Sequence, residues 1–211
     1  MKDLVNVNLR KYIEENIYPE YNLNDKGHNL EHIEFVLNRA YEISENYDLN
    51  LDMLYVVVSF HDIACHINRD EHEILSAKRM YEDETLKAFF TDEERLVMKE
   101  AIEDHRASLE YVPRNIYGKI LSSADRKIDI DIYLTSSMGF SIKNNPEITD
   151  EDVIEESYLF AIKKFGKEGY ATTKMYVEDR KYKEYLEEIQ RLIDNKEEYI
   201  LRAKKVLATL R

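Results

Sequence analysis

Residues 51–66 read LDMLYVVVSFHDIACH, an apolar run that stops at an ionisable pair, His61 and Asp62. Asn50 is a suitable N-cap, and the run from Leu51 has the apolar density of a central helix with little solvent exposure. A buried helix ending in two ionisable side chains needs a reason for them, because a polar group taken from water without a partner is costly. In mid-helix the two side chains would point apart. At a helix end the last turn can relax and let both converge on one ion.

Working outward, the residues on either side read as further helices. Upstream, HNLEHIEFVLNRAYEISENY at 28–47 places His28, His32, Phe35/Val36, Arg39/Ala40 and Ile43 at helical spacing, with His32 at the inward end of the stripe. Downstream, EHEILSAKRMYEDE at 71–84 puts His72, Leu75/Ser76 and Arg79/Met80 on one face, after a loop at HINRD. Thr91 followed by Asp92, Glu93 and Glu94 is a capping-box start for a helix whose inner side carries Met98, Ala101/Ile102 and His105. GKILSSADRKIDIDIYLTSS at 118–137 reads as one helix, with Leu121, Asp125, Ile128 and Ile132 facing inward.

At the N-terminal side, MKDLVNVNLRKYIEE contains a first helix over roughly residues 4–15, stopped by Pro19, and NDKGHNL at 24–30 breaks the pattern. MGFSIKNNPEI at 138–148 is the most irregular stretch, readable as a lid or as the boundary before the last helices. Thr149 with Asp152 begins another helix, Gly166 and Gly169 bracket a turn, and helices follow from about Tyr170 to Arg211. Tyr182, Leu186, Ile189, Ile193, Ile200, Val206 and Leu210 give that tail an apolar face, which could cover the core or pair two copies in a homodimer. Tyr170, Tyr176, Tyr182 and Tyr185 read as packing residues with wet hydroxyls.

With only three prolines and five glycines in 211 residues, the economical fold class is all-α. We expect a single domain over 1–211, a helical bundle with its motif-bearing core at about 25–135 and a C-terminal helical extension at about 149–211. The formal charge of -13 disfavours non-specific binding to an extended nucleic acid, but a small phosphorylated molecule remains compatible with a locally positive pocket. One cysteine, Cys65, excludes an internal disulfide and fits a reducing compartment. With no apolar segment of membrane-spanning length, the expectation is a cytoplasmic protein without a membrane partner.

The chemistry-bearing set is concentrated. All six histidines lie between positions 28 and 105. His32, His61, Asp62 and Asp125 offer two imidazoles and two carboxylates, nitrogen and oxygen donors suited to Mn, Fe, Zn or another divalent cation. Taken singly, each has an ordinary alternative: a local hydrogen bond, a satisfied core histidine, a cap or a salt bridge.

This order of residues resembles the HD-domain superfamily of metal-dependent phosphohydrolases, whose signature is H…HD…D on separate helices. GHNLEHIEFVLNRA supplies His32, VVVSFHDIACH supplies His61–Asp62, and KILSSADRKID supplies Asp125. The resemblance covers roughly residues 25–135. It implies an all-helical HD-domain bundle and one or two divalent metal ions, drawn from Mn, Fe, Co, Ni, Zn or Mg. It also implies hydrolysis of a phosphomonoester or phosphoanhydride, with nucleotides among the substrates, and it leaves the substrate unnamed.

Binuclear members use the doublet aspartate as a bridge and take two further histidines from intervening helices. His72 and His105 match those places, so the favoured arrangement has His32, His61, Asp62 and Asp125 at one metal and Asp62, His72 and His105 at a second. Two such ions would activate a water and neutralise phosphate charge, leaving Cys65 without a nucleophilic role. His66 and Asp104 are candidates, with Asp62, for catalytic roles, and His28, Arg79, Arg106, Arg126 and Lys127 for contacts to the substrate phosphate. Some nucleotidases of the superfamily carry a glutamate four residues after the doublet histidine, where this chain has Cys65, so their substrate preference does not transfer. A dinucleoside-polyphosphate hydrolase and a non-catalytic nucleotide-binding or sensor module are the alternatives.

Overall fold

The computed structural model describes residues 4–25 and 27–211. The parts of the N-terminal and 24–30 readings that involve residues 1–3 and Lys26 lie outside the described residues. Among the described residues every regular element is helical and none is a strand, in line with the all-α expectation.

The helices gather into two compact units. The first runs to Asp125 and includes Tyr176–Glu178; the second comprises Arg126–Met175 and Asp179–Arg211. The single domain expected over 1–211 thus contains two separate hydrophobic clusters.

In the first unit, α1 (Val7–Tyr12) is capped by the Asn6 side chain, which accepts from the backbone N–H of Asn8 and Leu9. The chain does not stop at Pro19. It widens into a π turn at Ile13–Ile17 and then tightens into a 3₁₀ helix at Tyr18–Leu23, whose first turn holds the proline. A proline is tolerated there because the N–H it lacks would have no intrahelical partner. Next come α2 (Leu30–Ser44), α3 (Leu51–Phe60), α4 (His72–Tyr81), α5 (Asp92–Glu103) and α6 (Ile116–Ala124).

Helix α3 is the axis of this unit. Asn50 caps it through Asp52 and Met53, every side chain from Met53 to Phe60 is buried, and α2, α4, α5 and α6 all pack on it. The Thr91–Glu94 capping box forms at the start of α5. Gly118 lets α6 close on α5, since a Cβ there would stand 3.3 Å from the Ala101 Cα. Val177 adds to the same core, and the Tyr47 hydroxyl accepts from the Glu178 backbone N–H.

The single helix expected at 118–137 is two helices. Helix α6 ends at Ala124 with Asp125 as its C-cap, and α7 (Ile130–Asn144) starts afresh with Asp129 accepting from the Ile132 N–H. The break overrides the apolar spacing, and Ile132, expected inward, is exposed. Conversely, the stretch at 138–144 expected to be irregular is the last part of α7, with Met138 buried.

In the second unit, α7 packs with α8 (Asp150–Phe165), and α9 (Tyr170–Thr173), α10 (Arg180–Asp194) and α11 (Lys196–Leu207) complete the bundle. Thr149 caps α8 through Asp152 as expected. The apolar face of the tail is spent inside this unit: Tyr182, Leu186, Ile189, Ile193 and Val206 are buried, with Ile200 and Leu210 packed against them. Tyr185 is buried too, while Tyr170 and Tyr176 are half-buried. No helix among the described residues is long and apolar enough to cross a membrane.

Candidate metal centre

Each residue of the expected metal set sits at or beside a helix terminus. His32 is in the first turn of α2, where the Asn29 cap accepts its backbone N–H at 3.2 Å. His61 is the C-cap of α3 and Asp62 follows it; His72 opens α4; His105 lies just past the Asp104 C-cap of α5; Asp125 caps α6. Three helices, α3, α5 and α6, therefore present carboxyl ends to these residues, and the partial negative charge of a helix C-terminus favours a cation.

The donor atoms form two groups, His32, His61, Asp62 and Asp125 in one and Asp62, His72 and His105 in the other, each within 4.8 Å overall. Asp62 belongs to both because its two oxygens face different ways. Its Oδ2 lies 3.4 Å from His32 Nε2 and 3.3 Å from His61 Nε2. Its Oδ1 lies 3.2 Å from His72 Nε2 and 3.6 Å from His105 Nε2. Asp125 Oδ1 closes the first group at 3.0 Å from His32 Nε2 and 3.8 Å from His61 Nε2.

The backbone sets which nitrogen of each ring is available. His61 Nδ1 is 2.8 Å from the Val58 carbonyl, His72 Nδ1 is 2.8 Å from that of Arg69, and His105 Nδ1 is 2.6 Å from that of Ile102. A carbonyl only accepts, so each Nδ1 carries the hydrogen and each neutral ring presents its Nε2 lone pair to the centre. His32 Nε2 and His61 Nε2 are buried and have no hydrogen-bond partner of acceptable geometry. Buried polar atoms of this kind call for an explanation, and a cation among them supplies one.

Spacing is consistent with that fit. Two nitrogens on one ion at about 2.0–2.1 Å stand about 2.9 Å apart at a right angle and about 3.4 Å apart at the tetrahedral angle. His72 Nε2 and His105 Nε2 are 3.2 Å apart.

Electrostatics in the metal-free centre follow from the same contacts. Burial works against a charge on His61, but Asp62 and Asp125 outweigh it and hold the imidazole well above its ordinary pKa. Burial is likewise outweighed at His32, by Asp125 and Asp62, and at His72, chiefly by Asp62, so both are raised. Burial would raise Asp62 and Asp125. Instead the surrounding imidazoles hold both carboxyls well below the usual range. Such mutual stabilisation between imidazole protons and carboxylates is what a divalent cation would replace.

The remaining expected residues divide. The His28 ring stands 5.7 Å from that of His32, with Nδ1 2.7 Å from Asp25 Oδ1, and burial lowers its pKa. His66 is exposed and linked to the centre through Asn24, which accepts the His66 backbone N–H and donates to the Asp62 carbonyl. Arg106 ion-pairs with Glu73 at 3.1 Å, and Glu73 in turn lies 3.5 Å from His72 Nδ1.

Asp104, expected as a proton-transfer candidate, is turned away from the metal donors. Its carboxylate accepts from the Arg114 side chain and backbone and from the Tyr111 hydroxyl, and Arg114 holds its pKa below the ordinary value despite burial. Arg79 is taken by Glu20 and Asp83, neither of them a metal donor. Arg126 and Lys127 fall in the second unit, where Arg126 donates to the carbonyls of Ala171 and Lys174 and Lys127 is exposed. Cys65 is half-buried, and burial pushes its thiol pKa up, which opposes a thiolate role.

Two residues of this region passed unnoticed in the sequence. Asn24 ties the 24–30 loop to Asp62, and Arg69 sets its guanidinium nitrogens 2.8 and 3.1 Å from the two ring nitrogens of His28 while ion-pairing with Asp25 at 3.2 Å. Both sit in polar loops that have no apolar period to mark their orientation; only their nearness to the histidine motifs could have flagged them. No family model matches this chain, and neither a curated protein nor a solved structure matches it.

Proposed function

We propose that this chain is a metal-dependent phosphohydrolase that cleaves a phosphomonoester or phosphoanhydride of a small molecule, nucleotides included. The observation that carries the reading is the division of Asp62, with one oxygen toward His32 and His61 and the other toward His72 and His105. One cation would be held by His32, His61, Asp62 and Asp125 and a second by Asp62, His72 and His105; Mn, Fe, Co, Ni, Zn and Mg all suit some or all of these donors. When bound, such ions supply positive charge against a phosphate and acidify water. The ordered resemblance to HD-domain phosphohydrolases supports the same reading.

The protein groups contribute orientation and charge. The carbonyls of Val58, Arg69 and Ile102 fix three imidazoles so that no rotamer search precedes ligand binding. Arg69, more than half exposed and one ring removed from His32 through His28, is the cation best placed to meet a phosphate oxygen at this edge. Arg106 is held beside His72 by Glu73 and can orient a second oxygen.

The test is a panel of phosphomonoesters, nucleoside triphosphates and dinucleoside polyphosphates, incubated with protein loaded separately with each of the six metals. Hydrolysis that disappears in His61→Ala and Asp62→Ala is the expected result. Turnover retained by a metal-free double variant would sink the proposal. Because a shared carboxylate also suits a dinucleoside-polyphosphate hydrolase, the products identify which bond is cut. Tight binding of a nucleotide by fully metallated protein without turnover would instead favour a sensor.

A further inference from the structure

The second unit contains a cavity of about 540 Å³ between α7 and α8, lined by Tyr133, Ser136, Ser137, Phe140, Ser141, Glu156, Ser157, Phe160 and Lys164. That volume lies in the range of small-molecule sites. Three of the lining side chains are aromatic. Tyr133 and Phe160 lie nearly parallel, 15° apart with centroids 6.4 Å apart, and Phe140 is 70 % exposed. An exposed phenylalanine beside a second one at 43 % is surface that an apolar ligand would cover.

The polar groups in the cavity are unevenly distributed. Lys164 is half-buried, and its ammonium faces the rings of Phe165 at 5.0 Å and Tyr133 at 6.0 Å, with no carboxylate within ion-pair distance among the described residues. Burial lowers its pKa, and Arg126 and Lys127 push the same way. Ser137 and Ser157 share a 2.6 Å hydrogen bond that continues to the Tyr199 hydroxyl, so the floor is fixed. At the other end Ser141 donates to Glu156 at 2.6 Å. Lys164 follows Glu156 by eight positions of α8, about 12 Å of helix.

From this polarity we infer that the cavity between α7 and α8 is a binding site for an amphipathic organic acid, with its carboxylate on Lys164 and its apolar body across Phe140 and Phe160. Partly desolvated ammonium without a counter-ion favours an anion, and the aromatic wall favours a chain or ring behind it. Glu156 rejects an anion at the far end, which fixes the ligand's direction. The metal donors all lie in the first unit, and none of them lines this cavity.

Isothermal titration of the full chain with octanoate, octan-1-ol and octylamine tests this. Octanoate is expected to bind with a Kd of about 1 mM or tighter, and more tightly than either analogue. Lys164→Met is expected to weaken octanoate at least about tenfold while changing octan-1-ol by less than about twofold. Phe160→Ser, on an exposed wall, is expected to weaken octanoate and octan-1-ol alike, and keeps the test open if the lysine variant misfolds. Equal octanoate binding by wild type and a folded Lys164→Met protein would overturn the inference. So would octylamine binding more tightly than octanoate, or no octanoate binding at all.

Discussion

His72 and His105 face each other through their Nε2 atoms at 3.2 Å, each with its Nδ1 already committed to a backbone carbonyl three residues earlier. In neutral rings this sets two lone pairs against one another, an arrangement that a proton or a cation must relieve. Asp62 Oδ1 lies within 3.6 Å of both nitrogens, so the negative charge that would accompany a cation is already in place.

Two ions per chain are therefore expected when metal is supplied in excess, counted by elemental analysis after desalting. His105→Ala should lower the count to one, and Asp62→Ala should lower it to one or none. A wild-type count that never exceeds one would remove the binuclear arrangement.

Metal uptake should strengthen as pH rises from about 5.5 to 8, with protons released on binding. His32, His61 and His72 are raised in the metal-free centre, so an ion must displace protons that these rings hold above the usual histidine range. The stability of the metal-free protein follows the opposite sign for these rings. Their contribution is full below about pH 6.5, the unfolded value, and is lost as pH rises through the higher folded values. Asp62 and Asp125, depressed, contribute above about pH 4 and lose that contribution as pH falls through their folded values. Metal-free protein should thus be most stable in mildly acidic solution, and thermal melts across pH with and without chelator would check it. A melting temperature that rises steadily from pH 6 to 8 without metal would contradict the assignment.

Asp104→Asn should lower stability by about 1–3 kcal/mol, read by urea unfolding, because it weakens the acceptor of Arg114 and Tyr111 in a buried position. Metal content should be unchanged. Loss of an ion in the folded variant would return Asp104 to the centre.

Asp129→Ala removes the cap of α7 and should cost about 0.5–2 kcal/mol, measured in the same way. If the substitution is neutral, the break between α6 and α7 is maintained by something other than this cap.

Much of the first unit could be read directly from local chemistry. The apolar run from Met53 to Phe60 makes α3 central whatever surrounds it, and Asn50 and Thr91 there, like Thr149 in the second unit, mark helix starts because their side chains satisfy N–H groups a few residues away. The six expected metal donors do come together, since a buried helix end with ionisable residues has few other ways to satisfy them. Only the tertiary structure decided the direction of everything not tied to such a period. It ended α6 at Ala124, assigned Asp104 to Arg114 and Arg79 to Glu20 and Asp83, and brought Arg69 against His28. These choices depend on charged side chains from distant segments meeting across short gaps, and neither helical spacing nor residue type encodes which of several available partners lies close enough to win.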